Sequence, residues 1–306
     1  MTNDVVVCEV GPRDGLQMAK AVMPTALKLR WIDAMAQAGV PDMEVGSFVP
    51  PKLIPQMADT AEIVRHTLTV PGLKTIVLVP NLKGAQRAYS AGARHLVIPV
   101  SVSDTHSRSN TNKGTYDQVS EVTQLVQWTR AQDRPVKIEA ACATAFGCSM
   151  EGVIPERRVI EVATALMQAG ADTVSLADTV GYAYPDQIRR LVRSMRAAVG
   201  AAFEKLHLHD TLGLGLANVL AGLDVGVRNF DASLAGLGGC PFAPGASGNI
   251  VTEDVVFLLE SMGLKTGIDL EALIAARSYL QDGLPGEMLH GSVSRAGIPK
   301  TFRLAA

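Results

Sequence analysis

The sequence predicts a (β/α)8 TIM barrel, an α/β fold, ending in a short irregular C-terminal tail, and three observations carry that prediction. First, one short pattern recurs at the ends of amphipathic stretches: Ala38-Gly39-Val40, Ala91-Gly92-Ala93, Ala169-Gly170-Ala171 and Val225-Gly226-Val227. Glycine just past a helix takes the left-handed conformation without a Cβ penalty, so each copy marks a helix turning into a strand. Second, eight strand candidates alternate with helical periodicity at spacings of about 20 to 40 residues, as parallel sheets with crossover helices require. Third, no Pro/Gly/Ser-rich linker divides the 306 residues, and no G-x-G-x-x-G follows the first strand. The open doubly wound sheet loses its commonest signature there.

In chain order the strand candidates are Val5–Val10, Met43–Gly46, Lys74–Val79 and His95–Val100, then Val136–Ala141, Thr173–Leu176, Leu206–His209 and Asn229–Ala232. Each is a β-branched or apolar run bounded by turn residues. The clearest helices are Thr25–Ala38, Tyr116–Ala131, Pro155–Ala169, Pro185–Val199 and Val251–Met262, with a weaker one from Ala58 to His66. From Gly283 to Ala306 glycine and proline interrupt any periodicity, so this stretch is expected to pack as the tail of a single catalytic domain spanning residues 1–306.

Composition narrows the function classes. Hydrophobic residues make up 47% of the chain and charged residues 19%, which suits one large core and excludes a disordered chain. Lys+Arg is 28 against Asp+Glu 30, and the net charge of −2 offers no basic field for nucleic acid. Aromatic residues are only 5%, which weakens base stacking as well. No apolar run reaches the roughly 18 residues of a membrane helix, and the N-terminus MTNDVVVCEV lacks the basic region of a signal peptide. Four cysteines (Cys8, Cys142, Cys148, Cys240) are too few for a disulfide framework. The expectation is a soluble cytoplasmic enzyme.

In such a barrel, reactive side chains collect at the C-terminal ends of the strands. Those positions hold Glu9, Arg13, Asp14 and Gln17, then Glu44 and Ser47, Asn81, the run SVSDTHSRSNTN, Cys142, Asp178, and His207-x-His209 followed by Asp210. The loop GLGGCPFAPGASGN after strand eight adds Cys240 and Asn249. Residues i and i+2 of a strand share a face, so His207 and His209 can converge at the barrel mouth. With Asp14 on the same rim, two imidazoles and oxygen donors suit six-coordinate Mg²⁺ or Mn²⁺. A structural zinc site would want paired cysteines, and no CxxC occurs.

Arg13 beside Asp14 can stabilise developing oxyanion charge or form a structural pair with Glu9 or Glu44, and both roles can coexist. Cys240 sits among five glycines from Gly236 to Gly248, where a mobile loop could bring a thiol over a metal as general acid or base. The contrasting expectation for a lone cysteine is inert burial, which is the reading for Cys8 and the leaning for Cys142 and Cys148. His66, His95, His106 and His290 read as ordinary helix, strand or loop residues.

The segments EVGPRDGLQ, EVGSFVPPKLIPQMAD, VPNLKGA, SLADTVG, LHLHDTLGLGLAN and AGLGGCPFAPGASGNIVTED together resemble the 3-hydroxy-3-methylglutaryl-CoA lyases, over about Cys8 to Leu270. RDG alone recurs across related metal-dependent barrels, whereas GGCPFAPGASGN is far more specific. The resemblance implies a divalent-metal-dependent carbon–carbon lyase with no organic cofactor, cleaving hydroxymethylglutaryl-CoA to acetyl-CoA and acetoacetate. It implies that Asp14, His207, His209 and Asn249 are metal ligands. Arg13 matches the arginine holding the enolate oxygen, and Cys240 the loop cysteine of proton transfer. Asp178 matches an acid assisting His207 or a metal-bound water, and Glu44 an organiser of Arg13. Gln17, Ser47 and Asn110 fall on the substrate side, toward the acyl or CoA portion. A homo-oligomer, a dimer first, is expected of such barrels.

Two segments depart from the family pattern: CATAFGCSMEG carries one residue more than a CALGCPYEG-like run, and SVSDTHSRSNTNKG differs in detail. Both can shape the acyl pocket, so citramalyl-CoA, giving acetyl-CoA and pyruvate, is the alternative substrate. A condensing enzyme running the reverse reaction is a further alternative, set against a chain that ends soon after its eighth unit. A non-catalytic binding barrel would show neither metal nor turnover.

Overall fold

The computed structural model describes residues 3–238 and 248–305. Eight parallel strands pair in chain order and close on themselves: β1 (Val6–Glu9), β2 (Asp42–Ser47), β3 (Lys74–Leu78), β4 (His95–Ser101), β5 (Lys137–Ala143), β6 (Thr173–Ala177), β7 (Phe203–His207) and β8 (Asn229–Ala232). Around them run α1 (Thr25–Gln37), α2 (Thr60–Thr67), α3 (Leu82–Ala91), α4 (Asp104–Thr111) and α5 (Thr115–Arg130). They continue as α6 (Glu156–Gln168), α7 (Pro185–Val199), α8 (Gly215–Asp224) and α9 (Thr252–Ser261). The predicted TIM barrel is the observed one. Its helix ends fall where the glycine pattern puts them, with φ of 94° at Gly39 and 106° at Gly92, and Gly170 and Gly226 repeating the left-handed turn.

Three of these nine helices go beyond the expected set, each for a local reason. α3 is capped by Asn81, whose side chain accepts from the Gly84 amide at 3.0 Å, so a residue read as rim chemistry is a helix cap. α4 lies in the polar stretch read as a loop. It buries only His106 and Ser107, too little for an apolar period to register, and Ser103 caps it by accepting from the His106 amide at 3.1 Å. α8 is mostly buried, so it carries no polar face to set a period. The tail is irregular apart from one short helix, Ser292–Ala296.

Most buried apolar side chains lie between strands and helices, among them Trp31, Leu125, Val159 and Leu191. Cys8, Val10, Ile76 and Val97, with Ala141 against them, form a separate small cluster inside the barrel. Cys142 and Cys148 are buried like Cys8, and burial pushes the Cys142 thiol up to about 12. His106 is buried with its ring against Ser101 Oγ at 2.8 Å, a packing role.

Candidate metal centre

Asp14 sits on a single wide helical turn, Gly11–Gly15, that begins as β1 ends, its amide donating to the Val10 carbonyl at 2.7 Å. The tight entry leaves no room for a Cβ at Gly11, which would lie 2.4 Å from Glu9 Oε1. Glu9 anchors the turn and is not the partner of Arg13. Its carboxylate accepts from the amides of Gly11 and Leu234 and from the Thr252 hydroxyl at 2.6 Å. Burial nonetheless pushes its carboxyl up to about 7.

The expected strand Leu206–His209 is displaced. β7 ends at His207, and His209 instead bridges Asn249 in antiparallel fashion. The chain after β8 doubles back here: the Asp210 amide donates to the Gly248 carbonyl at 3.1 Å, and Ile250 to Leu208 at 3.1 Å. This return delivers Asn249 beside the two histidines. Its amide Nδ2 donates to Asp14 Oδ2 at 2.6 Å and to the Leu237 carbonyl at 3.0 Å. A Cβ at Gly238 would lie 2.5 Å from that Nδ2, so the glycine makes the approach possible.

Asp14, His207 and His209 converge, with ligand atoms all within 4.8 Å of one another. Nε2 of His209 lies 3.7 Å and Nε2 of His207 4.0 Å from Asp14 Oδ2, and the two Nε2 atoms are 3.1 Å apart. Facing imidazole nitrogens at that separation need either one proton between them or a cation. Asn249 Oδ1 is buried without a hydrogen-bond partner among the described residues, a spare oxygen donor in the same place. This donor set of two imidazole nitrogens, a carboxylate and an amide oxygen fits a divalent cation.

Electrostatics favour a charged Asp14. Burial works against it, but the Arg13 guanidinium and the two imidazoles override that and hold its carboxyl well below the usual carboxylate range. Arg13 reaches Asp14 Oδ1 at 2.5 Å and Glu44 Oε2 at 2.7 Å, so its pairing is with Glu44 and Asp14. His207 is held above the ordinary histidine range because Asp231 and Asp14 outweigh its burial. His209 is held below it, by burial and by the charge of His207.

The other expected residues divide. Glu44 joins the cluster through Arg13. Gln17 lies just past that turn, in the element Leu16–Met18, its Oε1 buried without a hydrogen-bond partner among the described residues. Ser47 is buried at the end of β2, where its Oγ accepts from the Val49 amide at 3.3 Å. Asp178 has both oxygens occupied, accepting from the Tyr182 amide at 2.9 Å and the Ala183 amide at 3.1 Å, and burial raises its carboxyl to about 6. It anchors the loop after β6, while its own amide donates to the His207 carbonyl at 2.9 Å. Asn110 is exposed on α4, and no hydrogen bond among the described residues joins it to the Asp14 cluster. Cys240 lies outside the described residues.

Three residues that sequence reading passed over stand below the histidines. Lys205 Nζ lies 3.0 Å from Asp231 Oδ1 and 3.2 Å from Glu139 Oε1, and Asp231 Oδ2 lies 3.2 Å from His207 Nδ1. Strand alternation carried the signal, since Lys205 is two residues before His207 and shares its face. A cavity of about 570 Å³ opens beside Asn249 and is lined in part by His290, Ser292 and Arg295, so the tail borders the site.

The family model HMGL-like matches residues 4–280. The chain is 40% identical over 280 residues to the mitochondrial hydroxymethylglutaryl-CoA lyase of Gallus gallus, covering 92% of this chain and 93% of that protein. It is 39% identical to the cytoplasmic 3-hydroxy-3-methylglutaryl-CoA lyase of Rattus norvegicus, over 90% of this chain and 80% of that one. Among solved structures, an HMG-CoA lyase from Acinetobacter baumannii, in complex with coenzyme A and 3-methylmalate, superposes with a TM-score of 0.91. The two are 40% identical over 99% of both chains. A hydroxymethylglutaryl-CoA lyase from Pseudomonas aeruginosa follows at 0.90 and 37% identity, over 95% of this chain and 96% of that one. With the carboxylate, the paired imidazoles and the arginine gathered at the mouth of a closed barrel, the chain belongs to the HMGL-like family.

Proposed function

We propose that the protein is a divalent-metal-dependent carbon–carbon lyase that cleaves 3-hydroxy-3-methylglutaryl-CoA to acetyl-CoA and acetoacetate. The observation that carries this reading is the convergence of Asp14, His207 and His209 beside the Arg13 guanidinium. Asp14, His207 Nε2, His209 Nε2 and Asn249 Oδ1 would hold the cation. A cation bound there would supply Lewis acidity to the tertiary hydroxyl and a neighbouring carboxylate oxygen of the substrate.

The protein's own residues do the rest. Arg13, fixed between Asp14 and Glu44, presents a cation to the thioester oxygen as negative charge collects on it. A base takes the hydroxyl proton, the carbon–carbon bond breaks, and its electron pair passes into the acyl-CoA enolate. Cys240, within the glycine-rich run GLGGCPFAPGASGN, delivers the proton that converts the enolate to acetyl-CoA. Asp178 acts through the loop it anchors. Gln17, Ser47 and Asn110 lie on the substrate side in this reading.

One observation favours a second substrate. The Acinetobacter baumannii relative was solved with 3-methylmalate, a positional isomer of citramalate, so citramalyl-CoA is the competing acyl group. Purified enzyme with Mg²⁺ or Mn²⁺ and a panel of hydroxymethylglutaryl-, citramalyl- and malyl-CoA decides between them. Acetoacetate from the first substrate is the expected product. Pyruvate from citramalyl-CoA, with no acetoacetate from the other, reverses the assignment. No helix among the described residues is long and apolar enough to cross a membrane, and a cytoplasmic location belongs to the same reading.

A further inference from the structure

Barrel interiors are ordinarily filled by layers of branched apolar side chains. Here a buried ion triad replaces part of that filling, with one member from each of three strands: Glu139 from β5, Lys205 from β7 and Asp231 from β8. Burying three charges carries a desolvation penalty that pairing at best offsets, so packing alone is a poor reason for the triad. Its outer end is informative. Strand register pairs His207 directly with Asp231, and Asp231 Oδ2 lies 3.2 Å from His207 Nδ1. The other Asp231 oxygen faces Lys205 Nζ at 3.0 Å, and Lys205 is held from behind by Glu139, which also accepts from the Ser175 hydroxyl at 2.8 Å. Among the described residues His209 lacks such support: its Nδ1 is buried without a hydrogen-bond partner there.

We propose that Asp231, anchored by Lys205 and Glu139, is the positioning residue that aims His207: it holds the Nδ1 proton and leaves Nε2 bare toward the Asp14 cluster. A carboxylate can only accept, so the contact selects one tautomer, the one in which Nε2 is a ligand. Lys205 fixes the rotation of the Asp231 carboxylate, and the ring plane of His207 follows. Through this chain of contacts β5, with no metal ligand of its own, helps set the geometry at the barrel mouth. The inference rests on the metal-centre reading above.

The test separates the two. Mn²⁺ is titrated into metal-free wild-type protein and Asp231→Asn, with free Mn²⁺ followed by electron paramagnetic resonance and thermal melting of the metal-free forms recorded alongside. An amide can offer N–H to Nδ1 and invert the tautomer, so the Mn²⁺ dissociation constant is expected to rise by roughly 10- to 100-fold. Equal affinity in wild type and variant overturns the positioning role and leaves the metal centre standing. A wild type that binds neither Mn²⁺ nor Mg²⁺ removes the centre, and the inference with it. Should Asp231→Asn melt before titration, ¹⁵N shifts of the His207 ring in Mg²⁺-loaded wild type decide instead. An Nδ1–H tautomer supports the proposal, and an Nε2–H tautomer overturns it.

Discussion

On the helix side of the barrel wall, Leu125 from α5, Val159 from α6 and Leu191 from α7 pack into one continuous apolar layer. On the lumen side of the same strands, Glu44, Glu139, Lys205, His207 and Asp231 are buried or nearly so, and only a small apolar cluster accompanies them. Strand alternation turns one set of side chains toward the helices and the next into the lumen, and the two sides obey different physics. Apolar burial is non-directional and tolerates exchange of similar volumes. Buried charges tolerate one arrangement, in which each has its partner, because an orphan costs several kcal/mol. The outer face therefore carries stability, while the inner face carries geometry.

The strongest way to break this contrast is to take away whatever the inner face holds. Excess chelator should bring acyl-CoA cleavage below detection, Mg²⁺ or Mn²⁺ should restore it, and the circular dichroism spectrum should stay unchanged throughout. Full turnover after dialysis against chelator would mean that the carboxylate and imidazoles converge for some other purpose.

Next in size is Arg13→Met, expected to lower kcat by roughly 10²- to 10³-fold, as for loss of one oxyanion donor. Steady-state kinetics on the preferred acyl-CoA reads it. A change confined to KM would reassign Arg13 to uniform substrate binding.

A change on the opposite face should show the reverse pattern. Leu125 is fully buried in the outer layer. Leu125→Ala should cost roughly 2–5 kcal/mol in urea unfolding and leave kcat near normal. A large fall in kcat at unchanged stability would erase the division between the faces.

The smallest effect sharpens the comparison at its exception, Glu9, a carboxylate tied to Leu234 and Thr252 beyond the lumen. Its carboxyl stands at about 7 in the folded protein against an ordinary 4.5. Between those values the folded state keeps a proton that the unfolded chain releases, so stability falls as pH rises from about 4.5 to about 7 and is flat above. The loss is at most on the order of 3–4 kcal/mol. Glu9→Gln should show a shallower fall when urea midpoints at pH 5 and 7.5 are compared with wild type. Parallel slopes would take Glu9 out of the pH response.

Much of this was legible in the linear chain because it rests on short-range rules. Helix ends at Gly39, Gly92, Gly170 and Gly226 follow from a glycine that alone takes positive φ cheaply, and the barrel follows from eight strands alternating with helical stretches. The His207/His209 spacing and the neighbouring Arg13 and Asp14 were visible for the same reason. What the chain could not disclose depends on which distant segments meet. Asn249 reaches Asp14 across 235 positions, through a return of the chain onto the end of β7 that no local pattern encodes. α4 and α8 escaped because one buries too little and the other too much for a period to appear. The ion triad of Glu139, Lys205 and Asp231 escaped because a charged residue inside a strand reads as solvent-facing until the barrel closes around it. Local propensity is decided within a few residues of sequence, whereas pairing between strands is decided by register, and register exists only in the folded barrel.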